Sequence, residues 1–275
     1  MKEAGGQEST AQVAIAELHE LDEMIELEHL FTAIWDSPEG PPINLDVLRA
    51  LAYSGNYVAG ARVGDRLVGG LVGWLGGSPA RELHMHSHIL GVVADSHVRG
   101  LGFDLKQHQR LWCLERGVTV VEWTTDPLVR RNAYFNLFKL GAQAREYLVN
   151  FYGVMSDGLN AGEESDRLLI SWQLDSAQAE AAAVGKATEP DVDALVRSGA
   201  EVALSVGPAG EPLETQSSAR VLICQVPDDI VAIRRSDSTT ARSWRLAVRR
   251  SLGGLLAAGY RVTGASRAGW YVVER

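Results

Sequence analysis

The stretch from Glu82 to Thr125 constrains the fold more than any other. It reads as a strand (ELHMHSHILGVV), a glycine loop (VRGLG), a helix running to about Arg116 and a β-branched strand (VTVVEWTT). Glycine lets the chain turn sharply and lets a ligand approach the backbone closely. The helix behind it offers unpaired N–H groups and a partial positive charge. A loop of this kind can cradle a pyrophosphate. A plain strand-to-helix connection would use the same glycines. A dinucleotide loop would want a third glycine at 105, where the chain has Leu105.

The rest of the chain follows the same alternation. A short strand at AQVAIAE precedes an apolar helical pattern from Leu18 to Ile34. Asn44 is placed to cap a second helix, LDVLRALAYS, and two strands flank a Gly-Asp turn at Gly64–Asp65. After the central strand, PLVRRNAYFNLFKL reads as a helix with proline in its first turn and Gly141 at its end. AREYLVNFYG and DRLLISWQL read as two further strands. The expected fold is α/β (α+β), a mixed central sheet flanked by helices. The alanine-rich segment 176–198 reads as a linker or a loosely attached helix. Residues 199–275 read as a smaller β-β-α-β-β half, whose helix carries Trp244 packed inward and Arg245, Arg249 and Arg250 on a solvated face, the alternative being that these arginines bind an anion such as a phosphate or a carrier protein's acidic helix.

Bulk numbers narrow the function classes. The 275 residues carry a formal charge of −9, which argues against nucleic acid or an anionic membrane as main partner. No apolar run is long enough to span a bilayer, and the amino terminus lacks a signal-peptide core. The two cysteines, Cys113 and Cys224, have no metal-ligand spacing and fit a reducing compartment, so a cytoplasmic location is expected.

The run His97-Val98-Arg99-Gly100-Leu101-Gly102 resembles the acyl-CoA-binding motif R/Q-x-x-G-x-G/A of the GNAT acetyltransferase superfamily. NAYFNLFKLGA resembles the superfamily's later helix, and the element order from 11 to 174 matches as well. EWTTDPLVRRNAYFNLFKLGA and NFYGVMSDGLNAG resemble a bacterial branch of unassigned substrate. The resemblance covers about the first 175 residues and implies an acyltransferase domain at 1–175; the shift in composition sets a linker at 176–198 and a C-terminal subdomain at 199–275, where LLAAGYRV resembles a GNAT helix-to-strand junction and leaves a degenerate GNAT-like lobe as one reading. His97 stands where Arg or Gln is usual, and Val98 where many members have Gly.

The resemblance implies direct transfer of an acetyl or small acyl group from a CoA thioester to a small-molecule amine, with acetyl-CoA or another acyl-CoA as co-substrate and no metal. Val92, Val93, His97, Val98, Arg99, Gly100, Leu101, Gly102 and Asn132 would then bind the cofactor, with a backbone N–H of Val92 or Val93 polarising the thioester carbonyl. For the base, Glu82, His84, His86 and His88 alternate onto one strand face, and an imidazole titrates near neutrality. His86 and His88 are both candidates, against the alternative of an ordinary polar strand face or, further behind, a zinc site. Glu122 is a runner-up on the neighbouring strand. The superfamily's usual acid, a tyrosine, falls at Leu137. Tyr134, one turn earlier, and Tyr152 are candidate substitutes, with helix packing the competing role for Tyr134. Asp157 and Asn160 lie in a loop suited to acceptor contacts. Two other readings stay open: transfer from an acyl carrier protein's phosphopantetheine arm, and a non-catalytic GNAT-fold module. A homodimer is compatible with the sequence.

Overall fold

The structure, a computed structural model, describes residues 13–36, 40–79, 81–94, 98–153 and 164–275. The chain divides into two compact units. The first draws on 1–34, 40–74 and 87–109, the second on 35–39, 75–86 and 110–275. A seven-stranded mixed sheet runs in the order β1-β2-β3-β4-β5-β7-β6. Its strands are β1 (Val13–Glu17), β2 (Tyr57–Val63), β3 (Arg66–Ser78), β4 (Arg81–Val92), β5 (Val120–Thr125), β6 (Gln143–Leu148) and β7 (Arg167–Gln173). The expected mixed sheet with flanking helices and a second, smaller sheet is what forms.

In the first unit, helix α1 (Leu21–Trp35) buries Met24, Leu27, Leu30 and Phe31 on one stripe. Burying each of these side chains is worth about 1.5–3 kcal/mol. Helix α2 (Leu45–Tyr53) starts at Asn44 as expected, but the Asn44 side chain makes no capping bond. Its place is taken by Glu28 of α1, whose carboxylate accepts the Leu45 N–H at 2.7 Å. Helix α3 (Leu101–Glu115) follows β4. Two adjacent glycines of β3 let a helix close on each sheet face. A side chain at Gly70 would lie 2.2 Å from Leu27 of α1, and one at Gly69 would lie 3.2 Å from Leu105 of α3.

In the second unit, β5 and β7 carry Trp123 and Trp172, which meet edge-on with ring centroids 6.2 Å apart. Helix α4 (Arg130–Ala133) continues into a π-helical turn, Tyr134–Lys139, and ends before Gly141. The segment expected to be a linker contains two helices, α5 (Ala177–Ala183) and α6 (Val192–Arg197), with Ala179 and Ala182 of α5 buried.

A five-stranded sheet follows, in the order β11-β12-β10-β8-β9. It comprises β8 (Glu201–Val206), β9 (Pro212–Glu214), β10 (Val221–Gln225), β11 (Arg261–Ala265) and β12 (Trp270–Glu274). Between β10 and β11 run α7 (Ile230–Ser236) and α8 (Ser238–Val248), a second π-helical turn (Arg249–Gly253) and α9 (Gly254–Ala257). The sequence reading missed β9 and α7, both short. It also placed Arg245 in solvent, whereas Arg245 is buried at 2% exposure beside the expected buried Trp244. Its partner is a distant aspartate that local periodicity does not show.

The second sheet repeats part of the first. In β4-β5-β7-β6 the successive pairings are parallel, antiparallel and antiparallel. In β8-β10-β12-β11 they are the same. Each set places a helix interrupted by a π turn before its final hairpin. A helix, α3, links β4 to β5, whereas only β9 lies between β8 and β10. The repeat therefore copies the sheet half without the helix that carries the glycine loop. The two halves also clasp reciprocally: β11 packs on the first π turn, and β6 on the second.

Candidate functional site

The glycine loop lies in the first unit. Gly100 has φ +83°, in the left-handed region that favours glycine, and among the described residues nothing stands within 4 Å of where its side chain would begin. Asp104 N–H donates to Gly100 O at 3.1 Å, the first i→i−4 bond of α3, and Phe103 N–H donates to the same oxygen at 2.8 Å. The N–H groups of Leu101 and Gly102 therefore precede the helical ladder, where a helix start receives an anion. Gly102 leaves only Leu90 at ordinary contact distance, 3.8 Å. Arg99 is exposed and Val98 half-buried. His97 lies outside the described residues, as do Asp157 and Asn160.

Strand β4 leads into this loop. Val93 N–H donates to Val68 O of β3 at 2.9 Å. Neighbouring N–H groups of a strand point to opposite edges, so Val92 N–H points away from β3. Of the two expected carbonyl donors, Val93 is thus already bonded, and Val92 is the one aimed elsewhere.

His84, His86 and His88 share one face of β4, and their surroundings differ. The His88 ring packs on Trp74 with centroids 4.7 Å apart. The His88 side chain stays exposed overall, and its partial desolvation lowers its pKa, which favours the neutral, proton-accepting form. Ser87, between the two candidate bases, faces the other way. Its Oγ accepts from the buried Lys106 of α3 at 2.8 Å, and Lys106 also donates to Gln109 Oε1 at 3.1 Å. This bond fixes the strand behind His88.

In the second unit, His86 stands opposite Glu122 in the β4–β5 ladder. Glu122 itself accepts from Arg81 and lies 3.8 Å from His84 Nε2. The carboxylate considered as a second base is therefore already ion-paired. Tyr134 opens the first π turn. Its hydroxyl accepts from Arg267 at 3.3 Å, and its ring packs on Phe138 with centroids 4.9 Å apart. Leu137 is buried at 8% exposure and contributes no hydroxyl. Tyr152 is half-exposed, and its hydroxyl bonds Thr124 Oγ1 of β5 at 2.9 Å. Asn132 sits half-buried in α4. Among the described residues, no group of three or more His, Cys, Asp or Glu side chains could hold a metal ion, and no helix is long and apolar enough to cross a membrane.

The sequence reading missed Asp126, just beyond β5. This residue is 8% exposed. Arg245 grips it with two bonds of 2.9 and 2.8 Å, Arg234 donates at 2.6 Å, and Leu128 N–H donates at 2.9 Å. Burial pushes the carboxyl up, but the two guanidiniums and the backbone donor outweigh it and hold it well below the usual carboxylate range. A second cluster joins Asp166 to Arg249 at 2.7 and 2.9 Å and to the Tyr147 hydroxyl at 2.8 Å. Only an aspartate beside proline in TTDPL hinted at the first cluster, and nothing local names its partners.

No family model matches the chain, and no curated protein matches it. Solved structures similar to it include Arabidopsis thaliana Naa50 in complex with a bisubstrate analogue, 18% identical, covering 58% of this chain and 97% of that one, with TM-score 0.46. The ribosomal-protein-S18-alanine N-acetyltransferase of Escherichia coli is 14% identical over 60% of this chain and 96% of its own, with TM-score 0.48. An aminoglycoside acetyltransferase from an uncultured soil metagenomic sample is 23% identical over 42% of this chain and 78% of its own, with TM-score 0.38.

Proposed function

We propose that this chain is a GNAT-type N-acyltransferase that moves an acetyl or small acyl group from a CoA thioester to an amine. The observation that carries the reading is the motif Arg99-Gly100-Leu101-Gly102 at the start of α3, with Gly100 at φ +83° and no described residue within 4 Å of where its side chain would begin. The N–H groups of Leu101 and Gly102 and the Arg99 guanidinium suit the CoA pyrophosphate.

Val92 N–H suits the thioester carbonyl, where it would stabilise negative charge as the amine attacks. His88, whose pKa is lowered by partial desolvation and whose ring packs on Trp74, suits removal of the proton from the attacking ammonium. The C–N bond forms as the C–S bond breaks; of the two protons the ammonium nitrogen loses, one passes through the base to solvent and the other ends on the departing sulfur, which leaves as the CoA thiol. The leaving thiolate needs little help, since a thiol of ordinary pKa is a fair leaving group. Tyr134 and Tyr152, both of the second unit, stay the candidate acids by residue type alone.

The acceptor is a small amine in this reading. Two of the solved structures named above come from enzymes whose names specify a protein alanine or an aminoglycoside. One observation favours a second reading, a non-catalytic module of the same fold: Leu137 fills the usual tyrosine position with buried hydrocarbon.

The test has two parts. CoA, acetyl-CoA and NAD are titrated against the melting temperature; a ligand at 100 times its Kd stabilises by about 2.7 kcal/mol. Acetyl-CoA is then incubated with spermidine, an aminoglycoside, free amino acids and short peptides, and thiol release is followed. A shift with the CoA species alone and release with one amine class are expected. A shift without release from acetyl-CoA or from an acetylated carrier protein would favour the module. Faster release from the carrier would make the carrier the donor.

A further inference from the structure

The second sheet could be dismissed as an appendage, since it repeats the sheet half without α3. Its contacts say otherwise: besides packing on β6 and on Asp166, it holds one short piece of the first half at several points. The corner joining β5 to α4 is gripped at four points between residues 126 and 134. Asp126 takes Arg234 and Arg245 of α7 and α8. Pro127 O accepts the buried Tyr271 hydroxyl of β12 at 2.8 Å. Arg130 pairs with Asp228, and it also lies against Gly269, where a side chain would stand 2.6 Å from its Cδ. The Tyr134 hydroxyl takes Arg267 from the β11–β12 turn.

Two of these grips are buried. Arg234 and Arg245 are 5% and 2% exposed, and Tyr271 is 1% exposed. Buried groups of this kind allow few alternative arrangements, so they fix geometry more tightly than exposed ion pairs. The gripped corner leads directly into Asn132 and Tyr134. A π turn at that place already departs from regular helix, and such turns recur at functional sites.

We infer that the second lobe is a positioning device for the β5–α4 corner, and that Asp126 and Tyr271 are positioning residues for the transfer step. This rests on the acyl-transfer reading above. Val92, Val93 and the glycine motif belong to the first unit, and both side chains to the second. They act through the placement of Tyr134 and Asn132, where an error of about 1 Å can cost about 100-fold in rate.

The experiment uses the full chain and two variants. Tyr271→Phe removes one hydroxyl from a buried ring and keeps its volume. Asp126→Asn keeps shape and removes charge. Both are assayed well below their melting temperatures, with acetyl-CoA and the amine that gives the fastest release. The expected result is a kcat lowered about 10- to 100-fold in each, with unchanged KM for acetyl-CoA and an unchanged CoA-induced melting shift. A merely structural clamp would lower the melting temperatures and leave kcat per folded molecule alone, and that outcome overturns the inference. A parallel loss of CoA affinity also overturns it, because the effect would then be general loosening. If Asp126→Asn does not fold, Tyr271→Phe decides alone. No release by the unmodified chain with any amine would instead defeat the acyl-transfer reading and this inference with it.

Discussion

Replacing Asp126 by asparagine should destabilise the second unit severely. The carboxylate accepts four bonds of 2.6–2.9 Å, three of them from two guanidiniums. An amide of the same shape offers one acceptor oxygen and turns its NH₂ toward donors. Two buried cations would then lose their counter-charge. Removing one partner of a buried ion pair costs about 3–5 kcal/mol, because the remaining charge stays desolvated. That is a large share of the 5–15 kcal/mol typical of a domain. At about 2–4 °C per kcal/mol for a body of 150–250 residues, the melting temperature should fall by about 6–20 °C.

The pH dependence gives an independent check. Because the folded carboxyl is held below its unfolded value, the stability that Asp126 contributes is complete above about pH 4, its unfolded pKa. It is lost only as pH falls below that, through the folded value. The stability gap between the unmodified chain and Asp126→Asn should stay constant from pH 8 to 5 and close below pH 4. Calorimetry or urea unfolding across this range measures it. A loss under about 1 kcal/mol, or a gap that varies between pH 6 and 8, would refute the argument.

Other outcomes can be checked directly. His88→Gln should lower kcat/KM by about 100-fold or more and keep the CoA-induced melting shift; the rate of the unmodified enzyme should fall off on the acid side below about pH 6.5, since burial lowers the His88 pKa. The same loss in His86→Gln and none in His88→Gln would move the base to His86. Gly100→Glu should abolish the CoA shift while costing about 1–2 kcal/mol of stability, because the position has room but a left-handed backbone; a retained shift would sink the cradle. Both cysteines are buried, and burial pushes the Cys224 thiol up to about 12, so Ellman's reagent should find no protein thiol until the chain is unfolded. A fast-reacting thiol in the native protein would contradict that packing.

What the sequence shows and what it hides divide along contact distance. Strand β4, helix α3 and the turn at Gly100 follow from residues that are neighbours in the chain. Alternation marks the strand, an apolar stripe marks the helix, and a glycine is needed where φ is positive. Within β4, the three histidines were legible as one face, but their differing roles were not. Trp74 shields His88, and Arg81 and Glu122 gather around His84, so the distinction depends on the neighbouring strands β3 and β5. The Asp126 cluster was invisible for a stronger reason. Its arginines lie 108 and 119 positions away, and the tyrosine that holds Pro127 lies 144 away. Arg245 and Arg249 look alike in sequence, as charges on an amphipathic helix. Only the arrival of Asp126 and Asp166 from the other half makes one of them a buried anchor and the other a half-exposed one. The fold of each half was thus written locally, while the coupling between the halves was written in long-range charge. That coupling reaches the corner before Tyr134 through Asp126 and the start of β7 through Asp166, two places where an aspartate from one half meets arginines from the other.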